Sequence, residues 1–97
     1  MTKLFRALSP IHGIGLFAGE YIPPNSVICK AFHKNNNCTC TISENGKYVN
    51  HSICPNTTLK QLDQEYYLVS TFPIYQGMEI FANYYNTPEC IDKPDNF

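Results

Sequence analysis

The densest group of residues able to do chemistry lies in residues 47–56. Within it the chain reads Asn50-His51-Ser52-Ile53-Cys54-Pro55-Asn56, which places amide, imidazole and hydroxyl groups in one short segment. Side chains of these types satisfy backbone groups in irregular loops, so taken alone they predict a hydrogen-bonded turn. The same groups can also bind a polar ligand, and this segment alone does not distinguish a turn from a ligand site.

A second group is Gly13-Ile14-Gly15, followed by Leu16-Phe17. Two glycines around one residue allow a tight turn or a close approach of backbone to a ligand, because neither carries a Cβ. The third glycine of a dinucleotide-binding fingerprint is missing and no helical pattern follows. By itself this pattern favours a plain β-turn.

A third group, near the end of the chain, reads Gly77-Met78-Glu79-Ile80-Phe81-Ala82-Asn83-Tyr84-Tyr85. It follows the apolar residues 67–74. Taken alone, the two segments predict a strand, a turn and a second, aromatic strand. We expect Glu79 to have a turn or surface role.

The elements that must position these groups are short strands. Helical periodicity is nowhere sustained, and short apolar runs alternate with turn residues, which favours a mainly β domain. The predicted strands are residues 3–8, 15–18, 26–32, 38–42 and 66–72. Residues 59–64 are predicted to form one helical turn, and His12 and His33 are expected to be solvated in loops.

Composition limits the class of protein. The 97 residues, 43% hydrophobic and 15% charged, predict one folded domain and argue against disorder. A net charge of −1 favours neither nucleic acid nor an anionic membrane as a partner. Because we find no signal-peptide pattern and no run long enough to span a bilayer, we expect an intracellular protein.

The five cysteines are an odd number. Without a secretion signal, they are expected to be free thiols or metal ligands and not a disulfide framework. A four-thiolate zinc site would have to combine Cys38, Cys40, Cys54 and Cys90. Their spacing fits no standard zinc knuckle, so no metal site is predicted.

The order of the three groups resembles the successive signatures of SET domains, the fold of S-adenosylmethionine-dependent protein lysine methyltransferases. Those signatures are an early Gly-x-Gly, an Asn-His-Ser-x-x-Pro-Asn loop and a late Gly-Glu-Glu-Leu-x-x-x-Tyr segment. The loop matches at every fixed position, and the last signature matches at Gly77, Glu79 and Tyr84. The resemblance covers about residues 5–85, so residues 1–97 are predicted to be one minimal SET domain with a short tail at 86–97.

The resemblance implies a fold of small sheets with a C-terminal pseudoknot, in which residues 50–55 and 83–85 become neighbours. It also implies a protein-lysine N-methyltransferase in which Tyr84 is the catalytic tyrosine. S-adenosylmethionine would be held by the early glycine segment, the Asn-His pair and the tyrosine: Gly13, Ile14, Gly15, Asn50, His51 and Tyr84. The substrate lysine channel would be lined by Tyr48, Ala82 and Tyr85.

The sequence departs from the family pattern in three places. Only residues 33–47 fill the gap where most SET domains carry a larger insert that forms one wall of the peptide groove. Ala82 stands where Phe or Tyr is common, and Ile53 stands where family members with a C-terminal zinc segment have cysteine. The alternative function is therefore a catalytically inactive SET-like protein-interaction module, with or without bound S-adenosylmethionine. Expected partners are a protein lysine substrate, a histone or another host protein, and a second copy in a homodimer.

Overall fold

A computed structural model describes residues 2–35 and 39–84. Within them the fold is mainly β, with eight short strands and one 3₁₀ turn at Gly46–Tyr48. The strands are β1 Leu4–Leu8, β2 Ile14–Ala18, β3 Val27–Lys34, β4 Cys40–Ile42, β5 Asn50–His51, β6 Thr57–Leu62, β7 Glu65–Ser70 and β8 Phe81–Ala82. No helix in the described ranges is long and apolar enough to cross a membrane.

Strands β1 and β2 form an antiparallel hairpin in which Leu8 lies opposite Ile14. The Ser9 N–H donates to the Gly13 carbonyl oxygen at 2.8 Å and closes the turn. Gly13 has φ +48°, a left-handed conformation that glycine adopts without a steric penalty. Strand alternation then sends Leu16 and Ala18 into the core.

The largest sheet has four antiparallel strands in the order β4-β3-β7-β6. Its last strand corrects the helical turn predicted for residues 59–64. Thr57 is buried and Leu59 half-buried, whereas Thr58 and Lys60 are exposed, which is the two-residue period of a strand. Pairing along the whole of β7 stabilises this strand, and pairing partners cannot be read from local propensity.

The third sheet joins distant parts of the chain. β5 pairs in parallel with β8, so that Asn50 lies beside Phe81 and His51 beside Ala82. The Ser52 N–H extends the pairing by donating to the Ala82 carbonyl at 3.0 Å. The predicted neighbourhood of these two segments is therefore confirmed as far as Tyr84, while the tail at 85–97 lies outside the described residues.

The same C-terminal segment also packs on the first hairpin. The Ile80 N–H donates to the Leu16 carbonyl at 2.8 Å, and the Ala18 N–H donates to the Met78 carbonyl at 2.9 Å. The buried core combines residues from every sheet: Leu16, Ala18, Ile22, Ile28, Ala31, Phe32, Val49, Leu68, Ile74, Ile80 and Ala82. One core thus holds the early and late parts of the chain together.

The five predicted strands are all present, with ends shifted by one or two residues; Cys38 lies outside the described residues. His33 is not a loop residue, because it belongs to β3 and its Nδ1 lies 2.7 Å from Glu65 Oε1 on the neighbouring strand. The Lys30 ammonium lies 2.9 Å from the other oxygen of Glu65. The expectation that His33 lies in a loop was therefore wrong, although 42% of its side chain is exposed to solvent.

Cys29 and Cys54 are free thiols, but Cys40 is disulfide-bonded. The expectation of free thiols was wrong for Cys40, because a disulfide depends on the approach of two Cα atoms, which a count of cysteines does not reveal. Burial raises the pKa of Cys29 to about 11, so this thiol stays protonated at neutral pH. Within residues 2–35 and 39–84 no group of three or more His, Cys, Asp or Glu side chains is placed to hold a metal ion.

Candidate functional site

Asn50 connects the three sequence groups. Its side-chain nitrogen, Nδ2, donates to the His12 carbonyl oxygen at 3.1 Å and to Glu79 Oε2 at 2.8 Å. His12 lies in the turn before Gly13, and Glu79 lies just before β8. The segments around residues 13, 50 and 79 therefore meet at one place.

Glu79 is a buried residue, with only 8% of its surface exposed. The Ser9 hydroxyl lies 2.8 Å from one of its carboxylate oxygens and 2.9 Å from the other. The expected turn or surface role was therefore wrong. An isolated β-bridge between Phe17 and Glu79 places this residue against the first hairpin.

The two glycines of the Gly-x-Gly segment have different surroundings. A Cβ on Gly15 would overlap Glu79 Oε2 and lie 2.9 Å from its carboxyl carbon, so the missing side chain makes room for this carboxylate. A Cβ on Gly13 would meet no heavy atom within 4 Å. The half-exposed Ile14 lies between them. Open space therefore borders the backbone at Gly13, and the Glu79 carboxylate borders it at Gly15.

His51 and Tyr84 form the second part of the site. The Tyr84 N–H donates to His51 Nδ1 at 3.0 Å, and the two rings meet edge to face with centroids 5.6 Å apart. Because Nδ1 accepts this bond, the neutral imidazole carries its proton on Nε2. Removal from water lowers the pKa of His51 below its ordinary value of 6.5, so the ring is neutral at pH 7.

The Tyr84 hydroxyl donates to the carbonyl oxygen of Val49, the residue before β5. Burial raises the pKa of this phenol above its ordinary value of 10.0, so it remains protonated. A tyrosine in this state can donate and accept hydrogen bonds but is not a base at neutral pH.

The residues predicted to line a substrate channel differ in their placement. Tyr48 is half-buried, and the Arg6 guanidinium lies over its ring with Cζ 4.5 Å from the centroid. Ala82 is 7% exposed and belongs to the core. Tyr85 lies outside the described residues. Ala82 belongs to β8, and Tyr48 comes two residues before β5 in the sequence, so both lie near the paired strands of the site.

Sequence reasoning missed two residues that build the site, Ser9 and Asn56. The Asn56 amide donates to the Glu79 carbonyl at 2.9 Å, and its Oδ1 accepts from the Phe81 N–H at 2.9 Å. This side chain thus forms hydrogen bonds with one backbone carbonyl and one backbone N–H of the segment leading into β8. Asn56 ends the Asn-His-Ser-x-x-Pro-Asn motif, which is a signal for its importance, but nothing near Ser9 marks it.

The arrangement determines which groups Asn50 offers to a ligand. Both of its amide protons point to oxygen atoms of the protein, so its own Oδ1 must point the other way. This oxygen accepts no hydrogen bond within the described part of the chain. The site therefore combines an outward-facing acceptor, open backbone at Gly13 and two neutral rings, a donor and acceptor set that fits a small polar ligand with a cationic amino group.

No family model and no curated protein matches the chain. Solved structures do match it. A candidate histone methyltransferase from Plasmodium falciparum superposes with a TM-score of 0.71 at 20% sequence identity, over 87% of this chain and 94% of that chain. A humanized mutant of the Chaetomium thermophilum Polycomb Repressive Complex 2, bound to an inhibitor, superposes with a TM-score of 0.69 at 18% identity, over 93% of this chain and 16% of that chain. The chain therefore has a SET-like fold.

Proposed function

We propose that the chain is an S-adenosylmethionine-dependent protein-lysine N-methyltransferase. The observation that carries the proposal is the meeting of Asn50, His51 and Tyr84 beside the Gly13 turn, through the β5–β8 pairing and the Asn50 bonds. The likeness to a candidate histone methyltransferase supports the same class of reaction. A fold alone does not establish an activity, so the proposal depends on these side chains.

S-adenosylmethionine, when bound, supplies a methyl group already activated by the sulfonium charge. The protein then has mainly to bind and to orient. Asn50 Oδ1 would accept from the ammonium of the methionine end, and the backbone of Gly13, Ile14 and Gly15 with His51 would border it. The open space at Gly13 is consistent with this role.

Tyr84 is proposed to orient the substrate amine. Because its proton is directed to the Val49 carbonyl, its oxygen serves as an acceptor toward an amine N–H. As a neutral phenol it does not remove a proton. A lysine amine with an ordinary pKa of about 10.4 would lose its proton because an apolar channel disfavours its charged form. We propose Tyr48, Ala82 and Tyr85 as residues of that channel.

The first test is calorimetric titration of S-adenosylmethionine and of its product S-adenosylhomocysteine into the purified chain. We expect saturable binding that Asn50→Ala weakens about tenfold, since a hydrogen bond to a charged group is lost. Asn35→Ala, which removes a half-buried amide outside the site, should bind as the wild type does. Absence of binding to the wild type would exclude the methyltransferase proposal.

The second test is methyl transfer to histone and other protein substrates. Tyr84→Phe should reduce the rate about 100-fold, because the amine loses the acceptor that aligns it. Tyr75→Phe removes a hydroxyl from an exposed ring and serves as the matched control. Equal rates for Tyr84→Phe and the wild type would remove Tyr84 from the mechanism.

The second candidate is a catalytically inactive SET-like module that binds a protein and retains the cofactor. It is favoured by the short connection between β3 and β5, whose described residues hold only β4 and the 3₁₀ turn. A longer segment there would provide more of a peptide-binding wall. Binding of cofactor without transfer to any substrate, by a chain with an intact Tyr84, would support this function.

We further propose that residues 1–97 act as one domain, in an intracellular compartment where histones or other host proteins are available. Exposed apolar side chains at Leu8, Ile11 and Ile53 support self-association, since their burial would be favourable. A homodimeric mass by light scattering at micromolar concentration is expected. A monomeric mass at that concentration would contradict the homodimer but not the activity.

A further inference from the structure

Glu79 places a carboxylate inside the candidate site. It forms no ion pair with any Lys, Arg or His of the described residues. Its contacts are neutral donors, the Ser9 hydroxyl and the Asn50 amide. A buried carboxylate is costly unless such bonds satisfy it, so its position in this site calls for an explanation.

The bonds around Glu79 form a closed ring. The Ser9 hydroxyl accepts from the Ile11 N–H at 3.0 Å and donates its proton to the carboxylate. The carboxylate accepts from Asn50, and Asn50 also donates to the His12 carbonyl. Because His12 follows Ile11 in the same turn, this bond closes the ring. The ring therefore fixes the turn before Gly13 and the Asn50 amide relative to each other.

The chemistry of the carboxylate determines which end of the Asn50 amide faces it. A carboxylate accepts hydrogen bonds and has none to donate, so it binds the NH₂ end and excludes the oxygen end. A neutral amide at position 79 could turn either end toward Asn50, so that only the bond to the His12 carbonyl would favour the observed orientation.

We propose that Glu79 is a positioning residue that holds the Asn50 amide with Oδ1 outward, and thereby makes the site selective for a ligand with a cationic amino group. This inference rests on the proposed function and adds a determinant of ligand selectivity to it. Ser9 supports the carboxylate from its other side. Neither Ser9 nor Glu79 needs to touch the ligand.

The test compares two ligands in calorimetry on the full chain. One is S-adenosylhomocysteine, and the other is its analogue in which hydrogen replaces the amino group. The wild type should prefer the first ligand at least about tenfold. Glu79→Gln should reduce this preference by weakening the first ligand, with less than about a twofold change for the analogue.

Glu20→Gln is the matched control, because it makes the same change at an exposed carboxylate outside the ring. It should preserve the preference between the two ligands. If Glu79→Gln also preserves the preference, Glu79 has a structural role only and the inference is wrong. If the wild type binds neither ligand, the proposed function itself fails, which is a different outcome.

A measurement on the wild-type chain covers the case in which Glu79→Gln does not fold. Both side-chain amide protons of Asn50 should exchange with solvent in NMR spectra more slowly than those of the exposed Asn25. Equal exchange rates would show that the Asn50 amide is not held, and the inference would be overturned.

Discussion

At Gly15 the absence of a single Cβ makes room for the buried Glu79 carboxylate. The sequence marks Gly15 as unusual through the Gly-x-Gly pattern but indicates a ligand or a turn as the reason. The observed neighbour lies far along the chain, and a glutamate in a short motif is ordinarily exposed. Ser9 is 70 residues from Glu79 and Asn50 is 29, so local reasoning could not bring the three together.

Gly15→Ala should destabilise the chain by about 1–3 kcal/mol, because the new Cβ overlaps a carboxylate that Ser9 and Asn50 hold in place. The measurement is urea unfolding of Gly15→Ala alone and in combination with Glu79→Ala. In the Glu79→Ala background the added methyl group meets no carboxylate, so its cost should be much smaller. An equal cost in both backgrounds would mean that Ser9, whose Cβ would lie 3.0 Å from the new methyl group, and not Glu79, requires glycine here.

At the scale of elements, prediction succeeded where a short apolar run lies between turn residues. β1, β2, β3, β4 and β7 come from such runs, and their predicted positions are confirmed. β5 and β8 have two residues each, which is too short for any period to be visible. β8 lies in the segment predicted as a second, aromatic strand, whereas β5 was expected only as a neighbour of that segment, through the family resemblance. Long-range pairing and side-chain bonds define them instead.

Asn56 substitutes for a neighbouring strand at the start of β8. Its side chain pairs with the Glu79 carbonyl and the Phe81 N–H, as a strand backbone would. Thr57 adds a bond from its hydroxyl to the Phe81 carbonyl at 2.7 Å. The position of β8, and with it that of Tyr84, therefore depends on side chains that follow the Asn-His pair.

Asn56→Ala should lower the free energy of unfolding by about 2–4 kcal/mol, because it leaves two backbone groups without partners. Asn56→Asp keeps the acceptor for Phe81 but loses the donor to the Glu79 carbonyl, so about half of the loss is expected. Urea unfolding measures both, and hydrogen exchange at the Phe81 amide localises the effect. Asn35→Ala should change stability by less than about 0.5 kcal/mol.

If Asn56→Ala were no more destabilising than Asn35→Ala, the segment before β8 would be held by the core alone. Unchanged exchange at Phe81 in Asn56→Ala would lead to the same conclusion. Either result would mean that Tyr84 is positioned instead by Ile80 and Ala82, two buried residues that precede it in the sequence.

At the scale of the whole molecule, the site exists only when the chain has closed. Residues from the first hairpin, the middle loop and the C-terminal segment share one core, and β5 pairs with β8 across the sequence between them. Composition predicted a single domain and short apolar runs predicted its strands, but neither could predict this closure. The order of the three motifs did predict the closure, because a resemblance to SET domains implies the topology of that fold.

His51 couples protonation to this closure. Its Nδ1 accepts the Tyr84 N–H, and a proton on that nitrogen would replace an attraction with a repulsion. The folded-state pKa is below the ordinary value of 6.5 because the ring is removed from water. Between these two pKa values the unfolded chain binds more protons than the folded chain. Stability from this group is therefore fully present above pH 6.5 and is lost as the pH falls through the folded-state pKa.

We accordingly expect the free energy of unfolding, measured with urea from about pH 7.5 to about pH 5, to fall with acidification. His51→Asn should flatten this dependence, because the Asn side-chain oxygen can replace Nδ1 as acceptor for Tyr84 but does not titrate. His12→Asn removes an exposed imidazole from the turn and should keep the wild-type slope. If His51→Asn and the wild type lost stability equally, acid unfolding would begin elsewhere, and the closure between β5 and Tyr84 would be insensitive to the protonation of His51.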